Sequence, residues 1–202
     1  MAYERYYKSL IGYFDFEDVY FKAVFHAKEN DILIEVGSFL GKSAAFMVEE
    51  IDKSKKNLKF YCVDTFRIIT DDHLPASLPW GEMAEDFYKR CGDNALYELF
   101  CKNIKYGPGG HHLTEAIKSI SWEAASRFGD NSVYLVFIDA GHLYDAVSKD
   151  LNAYWPKIRS GGYLCGHDIR GEGVQKALFE FCNKNNLQFG INGNNSWAIL
   201  KK

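Results

Sequence analysis

The chain predicts an α/β protein built on a mostly parallel sheet, with helices on both faces and one antiparallel edge. Three observations carry this. Short apolar strands that end in an acid or a glycine (ILIEVG, LKFYCVD, VYLVFID, GGYLCGHD) alternate with stretches of helical periodicity. Residues 136–168 join two such strands through a single helix, and a connection of that length closes as a right-handed crossover between parallel neighbours. The chain then ends on LQFGI and SWAILK around a turn at 192–195, which is a hairpin pattern.

Taken in order, residues 17–28 (EDVYFKAVFHAK) form a helix with Val19, Tyr20, Ala23, Val24 and Ala27 on one side. Asn30-Asp31 turns the chain into ILIEVG. A glycine-containing turn opens the helix KSAAFMVEEIDK, residues 53–57 are a polar connector, and LKFYCVD follows. The rhythm then breaks. Residues 66–112 hold prolines, Trp80, mixed charges, helical fragments at 83–90 and 95–103, and a Pro-Gly-Gly-His-His run in which His111 and His112 read as a solvated loop. They carry no strand set of their own, so they read as an insertion or substrate cap within a single domain of 1–202, with Trp80 and Phe87 as lid candidates. Alternation resumes with a weak strand at 113–117, the helix SWEAASRF and the strand VYLVFID. The next helix carries an apolar stripe at Leu143, Val147, Leu151, Trp155 and Ile158. After GGYLCGHD comes the helix VQKALFEFCNKN, then the closing pair of strands.

Composition bounds the function. A length of 202 residues suits one domain with a full core. A net charge of −3 gives no support to a nucleic-acid partner. No apolar run approaches the roughly 20 residues that span a bilayer, and the start lacks the apolar core of a secretory signal. Five cysteines without C-x-x-C spacing fit reduced thiols, so a soluble cytoplasmic protein without a membrane partner is expected. The aromatic-rich first twenty residues suit either the arm of a homo-oligomer or a cover for the core.

Gly37-Ser-Phe-Leu-Gly-Lys-Ser43 lies between a strand and a helix and comes near a phosphate-wrapping loop. Such a loop has four residues between its first glycine and the Gly-Lys pair; here there are three, and Glu35 sets a negative charge just before them. A nucleotide enzyme of that kind is therefore the lesser reading. A strand ending in Glu-x-Gly, followed by one ending in Asp64, suits a ligand with a positive centre and a ribose, whose hydroxyls a carboxylate accepts. S-Adenosylmethionine is such a ligand. Asp139 and Asp168 leave their strands at one sheet edge, and two carboxylates together call for a cation or a shared proton. His142, three residues after Asp139, can take a proton near operating pH.

Together, EVGSFLGKSAAFMVEEI, FYCVDTF, FIDAGHLYDAVSKDLNAYWPKIRSGGYLCGHD and NNSWAIL resemble the class I methyltransferases that include macrolide sugar O-methyltransferases. The resemblance covers residues 12–65 and about 113–200. It implies a Rossmann-like fold of seven strands ordered 3-2-1-4-5-7-6. It carries Glu35, Gly37, Ser38 and Ser43 onto the methionine end of the cofactor, Asp64 onto the ribose, and Thr65 and Phe66 near the adenine. Ser119, Ile120, Ser121 and Trp122 would border the far side of that base. Asp139, next to the cofactor, and Asp168 match the metal carboxylates, and His142 the general base. His167 stands where some relatives have an acid. It is thus a candidate third metal ligand, although magnesium, the family's expected ion, prefers oxygen. The implied activity is methyl transfer from S-adenosylmethionine to a small hydroxylated acceptor such as a sugar, with a non-catalytic cofactor-binding module as a further reading.

Overall fold

The computed structural model describes residues 5–67, 77–193 and 195–202. Seven strands form one sheet: β1 Ile32–Val36, β2 Lys59–Asp64, β3 Leu113–Lys118, β4 Val133–Ile138, β5 Ile158–Gly166, β6 Gly190–Asn192 and β7 Ser196–Leu200. Their order is β3-β2-β1-β4-β5-β7-β6. The strands β1 to β5 pair in parallel, and β7 runs antiparallel to both neighbours. The fold expected from the sequence is the fold observed.

Period-two alternation splits the core into two layers. Leu33 and Phe137 face one side, where they join α1 (Glu17–His26), α2 (Lys42–Ser54) and α4 (Ala95–Tyr106). Ile34 and Val136 face the other, with α5 (Ser121–Ala124), α6 (Tyr144–Tyr154) and α7 (Glu172–Asn185). The aromatic N-terminal stretch lies over the first layer. Tyr7 packs edge-on against Phe46, and Phe16 stacks on Phe137 with centroids 4.4 Å apart.

The structure departs from the sequence reading in three places. In 66–112, α4 buries Leu96, Phe100 and Ile104 in the first layer. It is the crossover helix that a parallel β2–β3 pair requires; Phe87 of α3 (Ala84–Cys91) and Leu78 in the turn before it join the same core, so Phe87 is a core residue rather than a lid. Residues 68–76 of that stretch lie outside the described residues. The apolar stripe of α6 is shorter than its spacing suggested. Leu143 is the exposed N-cap, and Pro156 lies in the 3-10 turn Trp155–Lys157 that ends the helix, so Ile158 is the first residue of β5. Finally, of LQFGI only Gly190 and Ile191 join β6, because pairing there is confined to the residues opposite Ser196–Ala198. Among the described residues no helix is long and apolar enough to cross a membrane.

Candidate active site

The parallel strands stop in register. Val36 is level with Val63 on one side and Ile138 on the other, and Ile138 is level with Gly166. The residues that follow are stitched across the edge by backbone hydrogen bonds: Gly37 N–H to Val63 O at 2.8 Å, Asp139 N–H to Val36 O at 2.7 Å and His167 N–H to Ile138 O at 3.0 Å. Gly37, Asp64, Asp139 and His167 are thereby set side by side where the strand order reverses, the place at which open α/β sheets bind ligands.

Gly37 has φ +96°, and a Cβ there would lie 1.9 Å from the carbonyl oxygen of Asp139. The glycine is thus needed for backbone contact between two strand ends, beyond the place at the cofactor that the resemblance implied for it. The rest of the loop is spent on the protein. Phe39 N–H donates to Asp64 Oδ2 at 2.8 Å, and Gly41 N–H donates to Ser38 O. These amides are taken by the protein's own oxygens instead of wrapping a phosphate, which disfavours the nucleotide reading. Asp64 also accepts from Phe66 N–H at 2.6 Å, so each of its oxygens is held by a backbone amide. Burial raises the Asp64 carboxyl against these backbone donors.

Beneath the loop, Glu35 is fully buried and accepts from Tyr20 Oη–H at 2.6 Å. Burial pushes its carboxyl up to about 7, opposed by the Tyr20, Ser38 and Ser43 hydroxyls. Ser38 and Ser43 act by proximity: Glu35 Oε1 and Ser38 Oγ, both buried, complete no hydrogen bond among the described residues.

Asp168 gathers the catalytic-looking groups. Its backbone is left-handed, with φ +56°. Asn195, from the β6–β7 turn, fixes it by donating Nδ2–H to Asp168 Oδ1 at 3.0 Å and accepting from the amides of Ile169 and Arg170. His142 Nε2 lies 3.0 Å from Asp168 Oδ2. His167 Nε2 lies 2.9 Å from Asp15 Oδ1, and its Nδ1 lies 3.4 Å from Asp168 and 3.9 Å from Asp139. Hydrogen bonds from His142 and His167 hold the Asp168 carboxyl well below the usual range. Burial works against charge on His167, but Asp168, Asp139 and Asp15 outweigh it and raise the ring to about 9. Burial, with Asp168 close by, pushes Asp139 up to about 6 although both histidines pull the other way.

Two cavities meet at this edge. The smaller, about 410 Å³, is lined by Asp64, Thr65, Ser119, Ile120, Ser121 and Trp122 among others. The larger, about 1170 Å³, is open and lined by residues 11–16, Ser38, Lys42, Ser43, Ser77, Leu78, Pro79, His167 and Asp168. Gly37, Phe39, Asp139, Ala140 and His142 line both. Of the residues expected at the site, Glu35 lies behind the wall and Phe66 packs inward against Tyr97 and Phe100, lending only its amide to Asp64. The sequence reading missed Asp15, Phe39 and Asn195. Asp15 had one available signal, an acid between two phenylalanines just before a helix.

Residues 34–169, well over half of the chain, match the family described as methyltransferase domain. The chain belongs to that family. The methyltransferase is similar in fold to the O-methyltransferase NovP, with a TM-score of 0.65 at 15% identity over 92% of this chain and 79% of that one. It is also similar to the TDP-rhamnose 3'-O-methyltransferase CalS11, with a TM-score of 0.59 at 12% identity over 91% and 76%. A third similar structure is the O-methyltransferase TomG from Streptomyces achromogenes in complex with SAM, with a TM-score of 0.57 at 8% identity over 92% and 79%. No curated protein matches the sequence.

S-Adenosylmethionine is the cofactor of this methyltransferase family, and the residues fit it. Asp64 presents its carboxylate beside a cavity of nucleoside size, and two buried oxygens near the loop, Glu35 Oε1 and Ser38 Oγ, complete no hydrogen bond among the described residues. The donor set for a divalent ion also fits: one atom from each of Asp139, His142 and Asp168 lies within 4.8 Å of the others. His167, expected from the resemblance as a ligand, instead turns both ring nitrogens to carboxylates.

Proposed function

We propose that this methyltransferase transfers the methyl group of S-adenosylmethionine to an oxygen of a small hydroxylated acceptor such as a sugar. The observation that supports this best is the wall shared by the two cavities, which puts Asp139 and His142 where cofactor and acceptor would meet. The O-methyltransferase activity named for NovP and CalS11 points the same way.

S-Adenosylmethionine, when bound, supplies a methyl carbon on a sulfonium centre. Asp64 would accept the ribose hydroxyls, and Ser119 to Trp122 would enclose the base. His142, over half exposed to the cleft, takes the acceptor hydroxyl's proton as the oxygen bonds to the methyl carbon and the sulfur keeps the electron pair. Asp168 orients that imidazole and stabilises it once charged, as the third group in a base-and-orienter arrangement does. Asp139 and Asp168 are the carboxylates that would hold a divalent ion, magnesium in the simplest case, which lowers the pKa of a bound hydroxyl. His167 is a cation placed among three carboxylates and steadies them whether or not that ion is bound. The turn at Ser77, Leu78, Pro79 and Gly81 serves as part of a cap over the acceptor. The five free cysteines suit a reducing compartment, and we place the enzyme in the cytoplasm.

The test is thermal unfolding with S-adenosylhomocysteine or ATP, followed by methyl transfer to a panel of hydroxylated compounds with and without magnesium. Filling the site to a hundred times its Kd adds about 2.7 kcal/mol, visible as a melting shift. A shift with S-adenosylhomocysteine alone, then O-methylated product, is the expected result. Cofactor binding with no product from any panel member would leave the acceptor reading without support and favour a non-catalytic module.

A further inference from the structure

A second cluster of metal-ligating side chains lies at the far end of α2. Asp52 sits in the last turn of that helix, and His111 and His112 form the 3-10 turn Gly110–His112 that leads into β3. One donor atom from each of the three lies within 4.8 Å of the others. His112 Nε2 is 3.2 Å from Asp52 Oδ1, and the two imidazole centroids are 4.1 Å apart. Residues 52 and 42 are ten apart in one helix, so this cluster stands roughly 15 Å along α2 from the catalytic cleft.

The backbone builds this arrangement. Gly109 has φ +75°, and a Cβ there would lie 2.4 Å from Val48 O; one on Gly110 would lie 2.1 Å from Ile104 O. Two consecutive glycines thus let the turn press against both α2 and the end of α4, and His112 N–H closes it on Gly109 O at 2.8 Å. Adjacent residues of a 3-10 turn point about 120° apart, yet here both rings converge over one carboxylate. Two protonated rings this close would repel, whereas a shared cation would hold them. The carboxyl-terminal end of α2 is also the negative end of its dipole, where a carboxylate is unfavourable and a cation favourable. Lys55 also faces Asp52, its Nζ 3.7 Å from the same oxygen, on an exposed stem.

We infer that Asp52, His111 and His112 form a surface site for a divalent transition-metal ion of the zinc class, with the remaining position open to water. Two imidazoles and one carboxylate favour zinc, nickel or copper over magnesium. The ion ties the end of α2 to the turn before β3, a role separate from methyl transfer.

Zinc binding to the whole protein, counted by equilibrium dialysis and followed by melting temperature, tests this. His111→Ala removes an exposed ligand without opening the core. It should lose one zinc equivalent and a zinc-dependent melting rise of roughly 5 °C, while methyl transfer is retained. Asp52→Asn should do the same, and His142→Ala should leave this equivalent in place. Cobalt as a substitute ion should give a visible absorption band that His111→Ala abolishes. If His111→Ala and Asp52→Asn both bind as many zinc equivalents as the parent, or if cobalt binding is unchanged in them, the site does not exist.

Discussion

Asp168 and Asn195 are held together at 3.0 Å, so that a hairpin turn at the far edge of the sheet fixes the carboxylate that orients His142. The left-handed backbone of Asp168 is sustained by that turn, and His142 inherits its position from it. His142→Ala should therefore keep S-adenosylhomocysteine binding while turnover falls about 10²–10⁴-fold. Asn195→Ala should lower turnover through loss of orientation and leave cofactor affinity near the parent value. Calorimetric binding beside single-turnover kinetics separates the two effects.

His167 supplies a pH signature. Its folded pKa is raised from 6.5 to about 9, so the folded state holds a proton that the unfolded chain releases. The resulting stability is fully present below about 6.5 and is lost as pH rises through about 9. His167→Gln should be destabilised at pH 6 relative to the parent, and the gap should close by pH 9.5. Urea unfolding at both pH values checks this; a gap that widens in alkali would contradict the assignment.

Asp150 carries the same sign at a lower pH, here through burial rather than through charged partners. It lies fully buried on α6, neither carboxyl oxygen completes a hydrogen bond among the described residues, and burial pushes it from 3.8 up to about 7 against the nearby Ser121 hydroxyl. The folded state then holds a proton between those two values that the unfolded chain has given up, so stability falls as pH rises through that window. Asp150→Asn should be more stable than the parent at pH 8 by roughly 2–4 kcal/mol, with little difference at pH 4. Chemical denaturation across that range measures it.

Gly37→Ala should be among the costliest single substitutions. The new methyl group would overlap the Asp139 carbonyl at a φ that side chains rarely adopt, a cost of about 2–4 kcal/mol. Because the same contact aligns both cavities, S-adenosylhomocysteine affinity should fall with it. A variant as stable and as tightly binding as the parent would show that the two strand ends are not in that contact.

The parallel edge and the meeting of Asp139 with Asp168 were legible because they follow from local periodicity and crossover handedness, whereas the strand order came from the family resemblance. The assignment of Ser119 to Trp122 to the far side of the base came through resemblance; in the structure those residues line one cavity with Asp64 and Thr65. What stayed hidden depends on long-range contact. Asp15 reaches His167 from a segment without periodicity, and Asn195 reaches Asp168 across a hairpin. Phe66 looked like an adenine neighbour by position but turns into the core, since its φ of +51° directs only its amide toward Asp64. The helix α4 was obscured because prolines and charges before it masked its apolar face.

The wall common to both cavities also constrains how such an enzyme can diversify. A substitution at Phe39 or Ala140 that admitted a new acceptor would at once alter the cofactor's seat, so a change of acceptor that spares cofactor use has to come from elsewhere. Residues 11–16, together with Ser77, Leu78, Pro79 and Gly81, border the larger cavity alone. A lineage changing its acceptor could rewrite the exposed Ile11, Tyr13, Ser77 and Pro79 while Asp15 and Phe16, tied to His167 and Phe137, stay as they were.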